Sequence, residues 1–205
     1  MDSTQIKVEW IKCHRDVCYF TETYVQIFNA HSKAGASGRG AATGAWIPFR
    51  LWPAQRQVLQ DFVVNPYIIV LKARQLGMSW LTLSYALWLM LFYPAANIML
   101  MSKRDDESIE LLSNRLIEMH ARLPEWLQAK RVLQESAHDF VLSNGSRAKA
   151  FPTSGGRRSS TSANCLARAS SNTTVASGFS REFVIRLAAH PRLDENRAIF
   201  RGDSP

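Results

Sequence analysis

The stretch Tyr67-Ile68-Ile69-Val70-Leu71-Lys72-Ala73-Arg74-Gln75-Leu76-Gly77-Met78-Ser79-Trp80 constrains the fold more than any other part of the chain. Its first five residues are apolar and partly β-branched, and read as a buried strand. A short polar turn with one glycine follows, and an apolar helical run begins at Ser79. Strand, glycine-containing turn and helix are the setting of a phosphate-binding loop, whose usual pattern is G-x-x-x-x-G-K-[ST]. Gly77 holds the second glycine and Ser79 the hydroxyl, but Lys72 stands at the first glycine and Met78 at the lysine. Such a loop needs inward backbone N–H groups, a helix N-terminus, a hydroxyl for magnesium and one cation on the β/γ-phosphates. Gly77 can take the unusual backbone angle and Ser79 can ligate the metal. Lys72 or Arg74, entering from the front of the loop, can replace the missing cation. On pattern alone, an ordinary strand-turn-helix with basic surface residues fits equally well.

At 205 residues the chain has the size of one domain with a substantial core, and its 46% hydrophobic content with six Trp marks a globular protein. The formal charge of +8 is compatible with a polyanionic partner such as DNA, although excess charge alone is weak support. Cys13, Cys18 and Cys165 form an odd, sparse set that suits a reducing compartment better than a disulfide framework. Cys13-His14 with Cys18 hints at metal ligands, but no second pair follows at a useful spacing, so structural thiols are expected. The mixed polar and charged N-terminus shows no signal peptide. The uncharged run from Met78 to Ser102 is long enough to span a bilayer, but Pro94 and Asn97 split it into a helix and a short strand. A βα unit accounts for both halves, and no membrane association is expected.

Residues 1–45 contain an apolar-periodic helical piece, Val17, Phe20, Tyr24, Ile27 and Phe28, then a Gly/Ala/Ser-rich loop from His31 to Gly44. Trp46 to Pro53 forms an aromatic, proline-braced approach to a helix from about Ala54 carrying Gln55, Val58, Leu59 and Phe62, which Asn65-Pro66 ends. After the loop, Ser79 to Tyr93 reads as a helix apolar on nearly every face, and Asn97 to Met101 as a second buried strand. A helix with Ile109, Leu112, Leu116 and Met119 on one face runs to about His120. Phe140-Val141-Leu142 and Arg147 to Phe151 flank Asn144-Gly145 as a hairpin. The order β-α-β-α-β-β predicts an α/β domain with a parallel-rich sheet flanked by helices.

Taken together, four stretches resemble the ATPase half of a tailed-phage terminase large subunit, the motor that packages double-stranded DNA into capsids. Asp16 to Tyr24 is similar to that family's N-terminal helix. Ile47 to Leu51, leading to Pro53-Ala54-Gln55, is similar to the segment before its adenine-contacting glutamine, here Gln55. Lys72, Ala73, Arg74, Gln75, Leu76, Gly77, Met78 and Ser79 resemble its deviant phosphate loop, in which a basic residue at the loop's front serves as the phosphate cation. Phe140 to Arg147, with Phe151 to Gly156 after it, resembles the approach to its second nucleotide motif. Order and spacing agree from about residue 13 to residue 158. The resemblance implies an incomplete P-loop NTPase-type domain over 46–156. It also implies ATP and Mg²⁺ as cofactors, with Lys72 and Arg74 on phosphate, Ser79 on magnesium and Gln55 near adenine. Double-stranded DNA, a small terminase subunit and the portal or capsid are the implied partners, in a bacterial host cytoplasm.

The family pattern stops near Gly156. An apolar strand ending in Asp-Glu should follow, the aspartate holding magnesium through water and the glutamate polarising the attacking water. Arg157 to Arg168 offers neither, and Asp194-Glu195, after His190-Pro191-Arg192-Leu193, does not end a buried strand. Composition shifts at the same point: every lysine lies before residue 150, whereas arginine continues to Arg201. Residues 157–205 therefore read as an Arg/Ser-rich, disordered tail, the mark of a frameshift or rearrangement or, alternatively, of a natural nucleic-acid-binding tail. The nuclease half of the family is not found either. On this reading the chain is a fragment of a packaging ATPase that binds nucleotide but hydrolyses it poorly, with no catalytic residue assigned. The competing readings are a non-enzymatic basic DNA-binding protein, a non-functional prophage remnant, and a helicase-like ATPase whose own motifs are not found.

Overall fold

A computed structural model describes residues 2–29, 45–65, 67–71, 75–102, 104–152, 165–169 and 182–187. The chain opens with α1 (Ser3–Arg15) and α2 (Val17–Tyr24), each started by an acidic cap. The Asp16 carboxylate accepts from the Cys18 and Tyr19 N–H groups at 2.8 and 3.0 Å, satisfying two of the helix's free donors. Strands β1 (Gln26–Asn29) and β2 (Ala45–Pro48) pair antiparallel as a separate two-stranded sheet. Ile27 and Phe28 thus lie in a strand rather than on the expected helical face. The helix stops at Tyr24, with Val25 already extended, and Ile27 pairs with Ile47. The expected loop from His31 to Gly44 lies outside the described residues.

There follow α3 (Pro53–Val64), β3 (Tyr67–Leu71), α4 (Met78–Phe92) and β4 (Asn97–Ser102). A long helical run then comprises α5 (Asp105–Leu111), a π-helical segment (Leu112–Ile117) and α6 (Glu118–Ala121). Strands β5 (Val132–Glu135), β6 (Asp139–Leu142), β7 (Arg147–Pro152), β8 (Cys165–Ala169) and β9 (Glu182–Leu187) complete the described elements. The protein is therefore mixed α/β.

The main sheet has the order β3-β9-β8-β4-β7-β6-β5. Only β4 with β7 and β4 with β8 are parallel neighbours; the other four pairings are antiparallel. The sheet is mixed, not parallel-rich, because two-strand turns need no crossover: Asn144-Gly145 reverses the chain between β6 and β7, with Gly145 at φ 81°. Within the region read as an Arg/Ser-rich tail, Cys165–Ala169 and Glu182–Leu187 are described as two adjacent strands between β3 and β4. Low mean hydropathy over the region hides two short runs, Cys-Leu-Ala-Arg-Ala and Glu-Phe-Val-Ile-Arg-Leu. Both complete hydrogen-bond ladders that β3 and β4 would otherwise leave open. Residues 170–181 and 188–205 lie outside the described residues.

The core centres on α4, in which every residue from Leu81 to Leu91 is buried. Its few polar groups are matched: the Thr21 and Ser84 hydroxyls share a hydrogen bond of 2.8 Å, the Tyr85 hydroxyl donates to the Phe62 carbonyl at 3.1 Å, and the Trp88 indole donates to the Cys13 carbonyl at 2.8 Å. Against this helix the sheet presents one fully buried row, Ile98, Leu100, Phe140, Leu142, Ala148 and Ala150, while the alternating residues Met99, Met101 and Lys149 are only partly covered. β3 lies at the sheet edge, and its residues Ile68 and Val70 are partly buried rather than buried while Ile69 is 65% exposed. Among the described residues no helix is long and apolar enough to cross a membrane.

His120 on α6 yields a pH prediction. Its side chain is buried, stacks edge-on to Phe140 at 5.3 Å, and its Nε2 has no hydrogen-bond partner among the described residues. Burial holds its pKa below the ordinary 6.5. The unfolded chain therefore takes the proton first, so stability is full above about pH 6.5 and falls as the pH drops towards the lower folded value, by at most about 1.4 kcal/mol per unit. Urea unfolding at pH 5, 6 and 7 is expected to show this loss for the native chain and a flatter profile for His120→Leu. Parallel profiles for the two proteins would show that His120 is not held neutral.

Candidate phosphate-binding loop

The candidate site is built where β3 feeds α4. Tyr67 to Leu71 end at the carboxyl edge of the sheet. β8, β4 and β7 run in the same direction as β3, although β9 intervenes, and so end along that same edge. In open α/β sheets that edge is where ligands collect. The turn into α4 passes through two left-handed residues, Gln75 at φ 62° and Gly77 at φ 68°. Gly77 is the N-cap of α4 and offers no side chain to close the helix end. The N–H groups of Met78, Ser79 and Trp80 lack intrahelical acceptors by geometry, since the first ladder bond here runs from the Leu81 N–H to the Gly77 carbonyl at 3.0 Å. Ser79, second in the helix, is partly exposed, and Gln75 and Leu76 are exposed. Met78 is buried and points its bulk inward, so the position that usually carries a lysine belongs to the core here.

Gln55 comes to this turn from α3. Trp52 caps α3, Pro53 opens it, and Leu59 and Phe62 anchor it in the core. The Gln55 Oε1 accepts from the Trp52 N–H at 3.0 Å, and its Nε2 donates to the Leu76 carbonyl at 2.9 Å. The amide orientation is fixed by its partners, because a backbone N–H only donates and a carbonyl only accepts. Thus Gln55, Gln75, Leu76, Gly77, Met78 and Ser79 are gathered in one place. Lys72, Ala73 and Arg74, including both candidate phosphate cations, lie outside the described residues, as does Asp194-Glu195.

Two features escaped the sequence reading. The first is a ladder beside Ser79. The Arg115 guanidinium lies 5.2 Å from the centre of the Trp80 ring, Trp80 meets Trp46 edge-on at 5.8 Å, and Arg122 stacks 3.8 Å over Trp46. It ties the first turn of α4 to β2 and to the π-helical segment and α6. No local pattern reveals contacts spanning residues 46 to 122. The second is the acidic pair Asp106-Glu107 just after β4, where the Ser102 hydroxyl donates to Glu107 at 2.6 Å and Asp106 pairs with Arg104. β4, which precedes this pair, lies three strands from β3, about 14 Å across the sheet.

Cys13 and Cys18 are buried and unpaired with one another, and burial pushes their thiols up to about 12 and about 11. Such thiols stay protonated and pack as small apolar groups. Among the described residues no cluster of three His, Cys, Asp or Glu side chains could hold a metal. A magnesium at the loop would rest on the Ser79 hydroxyl and on phosphate oxygens, the usual arrangement for this ion. Many described cations are already engaged with carboxylates: Arg56 with Glu22 at 2.5 Å, Arg115 with Glu110 at 2.6 Å, Lys149 with Asp139 at 3.1 Å, and Arg122 with Glu118. These pairs are already cancelled within the net charge of +8 and do not reduce it.

No protein-family model matches the chain, and no curated protein matches it.

Proposed function

We propose that this chain binds a nucleoside triphosphate with magnesium through the turn between β3 and α4, as the ATPase half of a terminase large subunit does. The observation that carries the reading is the left-handed entry through Gly77 into the open N-terminus of α4, at the edge where β3 and its co-directional strands β8, β4 and β7 end. Backbone donors and the helix dipole there favour an anion, and Ser79 stands where a magnesium-ligating hydroxyl is needed. Lys72 or Arg74 supplies the phosphate cation and ATP is the expected nucleotide. Translocation of double-stranded DNA, a small terminase subunit and a portal or capsid partner, and a host-cytoplasm location belong to this reading through the sequence resemblance. The alternative, a basic DNA-binding protein, rests on the net charge of +8 and on an Arg-rich tail that lies largely outside the described residues.

Hydrolysis is expected to be slow. The sequence lacks the strand-ending Asp-Glu pair expected after Gly156, and loss of a water-activating glutamate forgoes about 10²- to 10⁴-fold in rate. Calorimetric titration of the full chain with Mg·ATP tests the reading. Ser79→Ala and Lys72→Ala are each expected to weaken binding by about tenfold or more, the worth of a charge-assisted contact. A folded native chain that ignores millimolar Mg·ATP would overturn it.

A further inference from the structure

We infer that Gln55 is a positioning residue that sets the orientation of the Leu76–Gly77 peptide, and with it the loop's phosphate-facing donor, rather than a group that reads the nucleobase. The inference rests on the reading of this turn as a triphosphate site.

Three observations carry it. First, the amide is committed within the protein: Oε1 holds the Trp52 N–H at 3.0 Å, Nε2 holds the Leu76 carbonyl at 2.9 Å, and the residue is only 7% exposed. Only the second N–H and the second lone pair of this amide are left for a base, and at 7% exposure little of either is open to one. Second, Leu76 lies between two left-handed residues, Gln75 and Gly77, a sequence of angles with little intrinsic preference for the peptide orientations it contains. A planar trans peptide points its C=O and N–H in opposite directions. By drawing the Leu76 carbonyl towards α3, Gln55 turns the Gly77 N–H to the opposite side and keeps the carbonyl dipole from facing an anion. Third, the fit is close: a Cβ at Gly77 would stand 3.0 Å from the Gln55 Nε2. Gln55 and Gly77 therefore act as one unit, the amide occupying the space that a side chain at residue 77 would need. The rigid carrier is α3, whose first turn is held by Pro53 and by the same amide, so the amide ties the loop to α3.

The consequence separates a positioning residue from a base reader. A clamp on the phosphate site acts on any triphosphate; a base reader acts only on nucleotides. Calorimetry of the full-length native chain and of Gln55→Ala, with Mg·ATP and with Mg·tripolyphosphate, which has no base, gives the comparison. Gln55→Ala is expected to weaken both ligands by the same factor, roughly tenfold. Gln55→Glu supplies a second readout. Protonated, its carboxyl can donate to the Leu76 carbonyl; ionised, it repels it. The affinity of Gln55→Glu, divided by that of the native chain at the same pH, is expected to approach one near pH 5 and to fall as the pH rises to 8. A purely structural defect would leave that ratio flat. Should Gln55→Ala not fold, the pH profile of Gln55→Glu decides by itself. Loss of Mg·ATP affinity with tripolyphosphate affinity intact would make Gln55 a base reader and overturn the inference while leaving the loop reading standing. Unchanged affinity for both ligands would also overturn it. A native chain that binds neither ligand would overturn the loop reading, and the inference with it.

Discussion

Trp88→Ala is expected to remove most of the stability of this protein. Trp88 is 1% exposed and sits midway along α4, stacked on Tyr85 at 5.7 Å and edge-on to Tyr93 at 5.1 Å. Its indole N–H donates to the Cys13 carbonyl near the end of α1 at 2.8 Å. Truncating a buried Trp costs about 3–5 kcal/mol through lost transfer energy and the cavity left behind. The stranded Cys13 carbonyl adds about 1–3 kcal/mol if water cannot reach it. A domain of this size has only about 5–15 kcal/mol in hand. Chemical denaturation should therefore show Trp88→Ala unfolded or nearly so at room temperature. Trp88→Phe, which keeps most of the ring but loses the donor, should fall between it and the native chain. A loss below about 1 kcal/mol for Trp88→Ala would mean that α1 and α4 do not pack as described.

Gly77→Val is expected to abolish triphosphate binding while leaving the core folded. Two penalties coincide at this residue. A left-handed backbone costs an L-residue about 1–2 kcal/mol, and a β-branched side chain is the least tolerant of it. The new Cβ would also meet the Gln55 Nε2 at 3.0 Å, against an amide whose other partners hold it still. The turn then relaxes either by flipping the Leu76–Gly77 peptide or by withdrawing Gln55, and both outcomes withdraw the donors facing the ligand. Far-ultraviolet dichroism and a melt should show a folded protein, destabilised by about 2 kcal/mol, whereas Mg·ATP affinity should fall by at least tenfold. Gly77→Ala should show the same effects to a smaller degree. Native-like binding by Gly77→Val would remove this turn from consideration as a phosphate site.

Much of the local structure is legible without coordinates. The unbroken apolar run after Gly77 dictates a buried helix, Pro94 and Asn97 end it, and the apolar run Asn97 to Met101 marks a strand, which reads as buried although every second residue is only partly covered. Asn144-Gly145 marks a hairpin because glycine enters the left-handed region cheaply, as Gly145 does here at φ 81°. The neighbourhood of the candidate loop is legible for the same reason: strand, glycine and helix follow one another within 14 residues. The separation between Gln55 and Leu76 is still short enough for a helix and the next strand to bring them together.

Other elements depended on distant partners. Ile27 and Phe28 fit a helical period as well as a strand, and pairing with Ile47 and Trp46 settled the matter. The π-helical segment follows the same apolar spacing as an α-helix and carries no signature in its residues. Cys165–Ala169 and Glu182–Leu187 become strands because β3 and β4 have open backbone groups to meet them, a demand set more than 60 residues earlier. The sequence by itself determined the strand-turn-helix, the buried α4 and the β6–β7 turn, since periodicity and left-handed angles act over a few residues. Only the tertiary structure decided the mixed strand order, the exposed edge at Ile69 and the clamp of Gln55 on Leu76, because a hydrogen bond between distant segments depends on where each chain direction arrives rather than on what either segment prefers alone.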